Sequence, residues 1–293
     1  MDTVFISVSL FIIGAALGSF AGAQVWRLRA RQLVLDKQAG EKVSAREYKR
    51  LVPLTKQSIF TDHSIDLDTG KRLPWYDLIP VLSWLLLRGR SRFSGKPIGY
   101  FEFLIELGVG VFFVISFLLW PENLVTPLQI IRFALWLLAG VCLAILFAYD
   151  AKWFLLPDRI TFVFVILGLL YAGSFLVTSK TPLDLLVSIA GSLVILSGLY
   201  LLLYIISRGR WIGFGDIKLG VGLALFVVDW RLAFIALFLA NLYGTLLVLP
   251  GLISGKLKRS THVPFGPLLI LGMITAVLVG NNILNWYMSI ILP

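Results

Sequence analysis

Several stretches of this chain run without a charged residue for long enough to cross a lipid bilayer, Val4–Val25 and Leu232–Ile253 among them. These two are each 22 residues long. At about 1.5 Å of rise per residue, a helix of that length covers a hydrocarbon core of roughly 30 Å. Lipid offers no hydrogen bonds, so such a run must satisfy its backbone within itself, as a helix does. The rest of the chain agrees, with 58% apolar and only 14% charged residues, against about 25% charged in soluble domains. The expectation is an all-α polytopic membrane protein. Disordered and collagen-like classes are excluded by the same composition. The single Cys142 lies inside an apolar run, which excludes a disulfide framework and a cysteine zinc cluster.

Further apolar runs cover Phe101–Leu119, Leu128–Tyr149, Ile160–Thr178, Leu185–Ile206, Ile217–Val228 and Phe265–Leu292. Together they predict about eight transmembrane helices, with a small cytoplasmic domain between the first and second. The first run reads as a retained helix, because no basic region precedes it. Its Gly14, Gly18 and Gly22 make a small-residue face suited to close helix packing. Residues 27–100 hold 15 Lys and Arg against 7 Asp and Glu, an excess that keeps a loop in the cytoplasm. Threading the runs alternately places the loops 151–159, 207–216 and 254–264 on the same side. The opposite loops carry only Lys180 and Arg231. Both termini then lie outside the inner membrane. Basic charge at helix ends also suits anionic lipid headgroups, and no nucleic-acid motif accompanies it. Two runs are short: Ile217–Val228, read as re-entrant or tilted, and Trp75–Leu87, placed at the membrane interface or in the core of the loop domain.

Ionisable residues in or at the ends of membrane helices are costly and are functional candidates by default. Here they are Glu102, Glu106, Arg132, Asp150 and Asp216, with Lys218 nearby. Asp150 ends the third helix and Asp216 starts the sixth, on the same side of the membrane. Two such carboxylates can share an acid–base cycle, one taking a proton from water while the other donates one. Helix capping, or pairing with Lys152 and Lys218, explains their positions equally well. Arg132, near the outer end of its helix, is expected to snorkel toward headgroups.

The local sequences shift that balance. Asp216 closes Gly213-Phe214-Gly215-Asp216, and glycines flanking the carboxylate leave room for a peptide backbone. Asp150 opens Asp150-Ala151-Lys152-Trp153-Phe154-Leu155-Leu156-Pro157-Asp158. These elements resemble the two aspartate motifs of the type IV prepilin peptidases, aspartic peptidases of the Gly-x-Gly-Asp kind. Gly18-Ser19-Phe20 with Arg27, the loop segments 77–85, 88–90 and 96–98, Glu106 within 103–107, and Pro264-Phe265-Gly266-Pro267 extend the likeness in order. The resemblance implies a catalytic pair at Asp150 and Asp216, supported by Gly213, Gly215 and Lys218. It implies cleavage of the short basic leader of prepilin-like precursors at the cytoplasmic face, and N-methylation of the new amino terminus from S-adenosylmethionine. Glu106, Arg90 and Arg27 are the residues it suggests for methyl transfer or substrate binding. Asp158 reads as a helix cap or dipole partner. No role is assigned to His262.

One departure concerns metal. Many members of that family carry two Cys-x-x-Cys pairs in the loop; here Ser91 and Ser94 stand at the second spacing. Hydroxyls are poor zinc ligands, and His63 alone cannot build a site, so no zinc is expected. The domain reading is 1–26 first helix, 27–100 loop domain and 101–293 peptidase domain. A leader peptidase without methyl transfer is one alternative, and a proton-coupled transporter is another.

Overall fold

The computed structural model describes residues 3–56, 65–66, 69–257 and 262–291; His63 lies outside them. Helix follows helix along the chain: α1 (Thr3–Gln38), α2 (Ala45–Leu51), α3 (Leu82–Leu86), α4 (Phe101–Leu119), α5 (Pro127–Trp153), α6 (Asp158–Thr178), α7 (Pro182–Leu193), α8 (Leu199–Ser207), α9 (Phe214–Val227), α10 (Trp230–Ile253) and α11 (Gly266–Ile291). A π turn, Val194–Gly198, joins α7 and α8 into one span. Seven helical spans among the described residues are long and apolar enough to cross a membrane. The protein is an all-α, multi-pass membrane protein. The chain divides into two compact units, Met1–Ile115 and Ser116–Pro293.

In the first unit, α1 does not stop where the charges begin but continues to Gln38. Gly14 and Gly18 are where α4 comes closest. A Cβ on Gly14 would lie 2.9 Å from the Val109 carbonyl, and one on Gly18 would lie 2.8 Å from the Glu106 Cα. Gly22 meets only the tip of Ile105, at 4.0 Å, so the small-residue face narrows to its first two members. Beyond the membrane-length part of α1, Ala30 and Leu33 pack with Leu51 and Leu54. The short apolar stretch of the loop forms a 3-10 turn, Trp75–Leu78, followed by α3. Trp75 and Leu86 are 76% and 81% exposed, so it builds no loop-domain core. An apolar surface beside Arg88, Arg90 and Arg92 suits the membrane interface.

In the second unit, α5 starts with a capping box: Thr126 Oγ1 accepts from the Gln129 amide and Gln129 Oε1 from the Thr126 amide, with Pro127 at the first helical position. Phe154, in the left-handed region at φ 56°, ends the helix, and its amide donates to the Asp150 carbonyl. Arg132 corrects the sequence expectation. It is 6% exposed and turns inward, binding Glu122 Oε1 at 2.7 Å, Ser174 Oγ and carbonyl, and Thr178 Oγ1. Its guanidinium also stacks on Phe175, 3.7 Å from the ring centroid. Snorkelling serves a cation that has no partners at its own depth; α6 supplies them here.

Helix α9 is the short element. Its 14 residues rise about 21 Å, short of a full span. Ile217, Leu219, Gly220 and everything from Gly222 to Val227 are buried, as expected of a helix that is apolar on all sides. A helix sheathed in protein does not need to match the bilayer thickness. Glycines let its neighbours press in: Gly222 lies against the Phe164 ring of α6, and Gly168 of α6 against Leu225. Helices α10 and α11 pair the same way, where a Cβ on Gly272 would meet the Ala236 carbonyl at 2.3 Å.

Candidate active site

Three chain segments deliver the site. Asp150 lies in the last turn of α5, Asp216 in the first turn of α9, and Gly266 begins α11. Asp150 is 6% exposed. The Gly266 backbone amide donates to Asp150 Oδ2 at 3.1 Å. The approach requires glycine: a Cβ there would sit 2.7 Å from that oxygen and 3.6 Å from Leu219 Cδ2. Asp216 is partly buried, and its carboxylate lies within electrostatic range of Asp150 and of the Tyr200 phenol. Folding thus brings the two aspartates, 66 positions apart in the sequence, to one end of one bundle.

The residues around Asp216 divide by task. Gly213 precedes the helix with an extended backbone, and its carbonyl accepts from the Asp216 amide. A Cβ on Gly213 would come 3.8 Å from Asp216 Oδ2, at ordinary contact distance, so this glycine faces the carboxylate. Gly215 packs on Leu156, at 3.1 Å from its virtual Cβ. Lys218 turns to Asp158 Oδ1 at 2.7 Å and lies over the Phe214 ring. That pair joins α9 to the first turn of α6, and at 39% and 72% side-chain exposure it contributes about 0–1 kcal/mol. Asp158 makes no side-chain cap.

In the first unit, Glu106 Oε2 accepts the Val81 amide at 2.7 Å, and the same carboxylate bonds Ser19 of α1. Val81 holds φ 64°, a strained backbone for a β-branched residue. Glu102 accepts the Trp26 indole N–H at 2.8 Å, while its other oxygen and Gln24 Nε2 are buried without a hydrogen-bond partner among the described residues. Arg90 forms an isolated antiparallel bridge with Pro97. Arg27 lies within α1, on the stretch that runs past the membrane-length segment.

Ser91 and Ser94 build a closed turn. Ser91 Oγ accepts the amides of Phe93 and Ser94 and donates to Asp66 Oδ2. Asp66 in turn accepts the Thr69 amide and hydroxyl on Oδ1. Each turn closes alike, Gly70 N to the Asp66 carbonyl and Gly95 N to the Ser91 carbonyl, with Asp66 N to Lys71 O and Ser91 N to Lys96 O. Asp66-x-x-Thr69-Gly70 therefore repeats Ser91-x-x-Ser94-Gly95. Sequence reasoning missed the first of these turns, although the repeated polar-x-x-polar-Gly pattern was there to be read. One carboxylate and three hydroxyls do not suit a structural zinc ion, whose sites are built from thiolates and imidazoles, and neutral hydroxyls are poor ligands for it. Among the described residues no group of three or more His, Cys, Asp or Glu is placed to hold a metal. Sequence reasoning also passed over Gly266, whose motif was visible but whose amide contact was not.

Two family models match the chain: the bacterial peptidase A24 N-terminal domain over residues 12–120, and the type IV leader peptidase family over residues 136–249. A prepilin leader peptidase/N-methyltransferase of Aeromonas hydrophila is 31% identical over 72% of this chain and 69% of its own. The chain belongs to the type IV leader peptidase family. Its similarity to the Xanthomonas campestris pv. campestris protein of the same description is 28% over 94% of this chain and 92% of that one. To the Klebsiella pneumoniae protein it is 30%, over 72% and 80% respectively. No solved structure matches the chain.

Proposed function

We propose that this membrane protein cleaves the basic leader from prepilin-like precursors and methylates the amine that cleavage exposes. The observation that carries the peptidase reading is the meeting of Asp150 and Asp216 at one bundle end, with the Gly266 amide on Asp150. One carboxylate takes a proton from water as its oxygen attacks the scissile carbonyl. The other, protonated, gives its proton to the leaving nitrogen. The products are a leader carboxylic acid and a free α-amine, and the net consumption is one water. Gly213 leaves the approach to Asp216 free of side-chain bulk, Gly215 lets α9 pack closely on Leu156, and Lys218 braces α9 through Asp158.

The names of the relatives support the second activity. S-adenosylmethionine would supply a methyl group to the amine. The buried, unpartnered Glu102 Oε2 and Gln24 Nε2 are an acceptor and a donor that a polar ligand would complete. Glu106, Arg90 and Arg27 belong to the same unit and are proposed to bind the substrate amine or the cofactor's carboxylate. With the short α9 counted as a crossing beside the seven longer spans, the basic loops favour an inner-membrane setting with both termini outside and the aspartates at the cytoplasmic face. Anionic headgroups would then contact the arginines of the loop.

The test is direct. Purified protein in lipid is mixed with a synthetic precursor, a short Lys-rich leader followed by an apolar helix, and S-adenosylmethionine. Cleavage with a one-methyl mass gain is the expected result. Cleavage alone would leave a leader peptidase, and no cleavage would remove the reading altogether.

A further inference from the structure

The span that runs from Pro182 to Ser207 carries neither aspartate, yet it touches the support of both. Its middle is a π turn, Val194–Gly198, in which the Leu199 amide reaches back five residues to the Val194 carbonyl. Such wide turns are uncommon and cluster at functional sites. Two contacts show what this one does. A Cβ on Gly220 of α9 would lie 2.1 Å from the Leu196 carbonyl, so α9 sits with its backbone directly on the turn. Ser197 Oγ donates to the Ile217 carbonyl at 2.9 Å in a buried setting, and Ile217 follows Asp216. A helical serine ordinarily back-bonds within its own helix; Ser192 does so, to the Ser188 carbonyl. Ser197 is diverted to the first turn of α9. One turn on, the buried Tyr200 ring packs on Phe265, 5.6 Å between centroids, and Phe265 precedes the glycine whose amide holds Asp150.

We propose that the π turn sets the placement of Asp216 relative to Asp150, with Ser197 as a positioning residue for the cleavage step. This rests on the peptidase reading given above. Asp216 lies in the first turn of α9, where an unbraced helix end frays and tilts most readily. Ser197 ties that turn to a helix that also abuts the Phe265–Gly266 segment. Without the bond, α9 remains packed through its apolar body, but its first turn loses its reference. Catalysis is sensitive to such errors: a misplacement of about 1 Å can cost roughly 100-fold in rate. Substrate binding, which draws on the leader and the apolar helix of the precursor, does not depend on it.

The experiment compares the unaltered protein with Ser197→Ala, Ser197→Cys and Gly220→Ala, all full-length in lipid nanodiscs, cleaving the same synthetic precursor. Wild-type cleavage is established first, and its absence would count against the peptidase reading, not against the role of Ser197. Ser197→Ala is expected to lower kcat about tenfold or more while KM stays within about twofold. Its Tm should stay within a few degrees. Ser197→Cys, with a weak donor of similar size, should recover part of the loss. Gly220→Ala should reproduce the fall in kcat by lifting α9 off the Leu196 carbonyl. The proposal is overturned if Ser197→Ala keeps wild-type kcat, if Ser197→Cys recovers nothing beyond the alanine variant, or if activity falls only in step with the folded fraction.

Discussion

The amide of Gly266 donates to Asp150 Oδ2 across 3.1 Å, from a position where any Cβ would stand 2.7 Å from the same oxygen. One lone pair of the carboxylate is therefore spoken for, and the carboxyl cannot rotate without breaking the bond. Gly266→Ala should lower kcat about 100-fold, since the methyl group must displace the carboxylate from its reacting geometry. Melting temperature and kcat measured on the same preparation check this; a fully active alanine variant would mean that the carboxylate's placement is not critical.

Asp150→Asn and Asp216→Asn should each abolish detectable cleavage while the protein still inserts and melts cooperatively. Both members of the pair are needed because the proton cycle passes through both. Near-normal turnover by either purified variant would remove that residue from the site.

Arg132 is a matter of stability rather than of catalysis. Replacing it with alanine would leave Glu122 without its ion-pair partner in a largely buried setting and remove the guanidinium donors to Ser174 and Thr178, whose hydroxyls would keep only their own-helix carbonyls. Breaking a buried pair from one side costs about 3–5 kcal/mol, so Arg132→Ala should lower Tm by many degrees and leave kcat per folded molecule unchanged. Lysine should not restore stability, because it cannot form the forked contacts and the stack on Phe175. Thermal melts of the two variants in lipid decide this.

The loop turns should hold without metal. Asp66→Ala removes the acceptor for Ser91 and Thr69 and is expected to reduce methyl transfer to a pre-cleaved peptide more than it reduces cleavage. Metal analysis should find clearly less than one zinc per chain, and a chelator should change neither activity nor Tm. A tightly bound equivalent of zinc would show that the donor set has been misjudged.

Glu106→Ala tests the separation of the two activities from another direction. It frees the strained Val81 amide and the Ser19 hydroxyl, so the turn that begins α3 should loosen. Methylation of a pre-cleaved peptide should fall at least tenfold, with leader cleavage changed by less than about threefold. An equal loss of both activities in a folded protein would contradict independent sites.

Much of the architecture was legible in the amino-acid order. Apolar run length marks a span because backbone groups in lipid leave helix as the only single-segment solution, and each long run of the sequence reappears as a helix. The family was legible too, since Gly213-Phe214-Gly215-Asp216 and the segment opened by Asp150 are contiguous patterns. The short run after Asp216 was recognisable as unusual, but not as a helix buried on all its faces. Pairings were out of reach. Nothing local to Arg132 tells that Ser174 and Thr178 will face it from the next helix, so a surface role was the natural expectation.

The sequence by itself determined that this protein is helical, lives in a membrane and belongs to the leader peptidase family, because those properties are written in consecutive residues. The tertiary structure alone decided what surrounds each candidate group: the Gly266 amide on Asp150, 116 positions away, Lys218 on Asp158 rather than on Asp216, and Ser91 on Asp66. The physical reason is that a hydrogen bond depends on where two helix faces or two turns meet. That meeting is set by packing over the whole bundle, by glycines that let backbones touch and bulky rings that hold them apart, and no short window of sequence contains it.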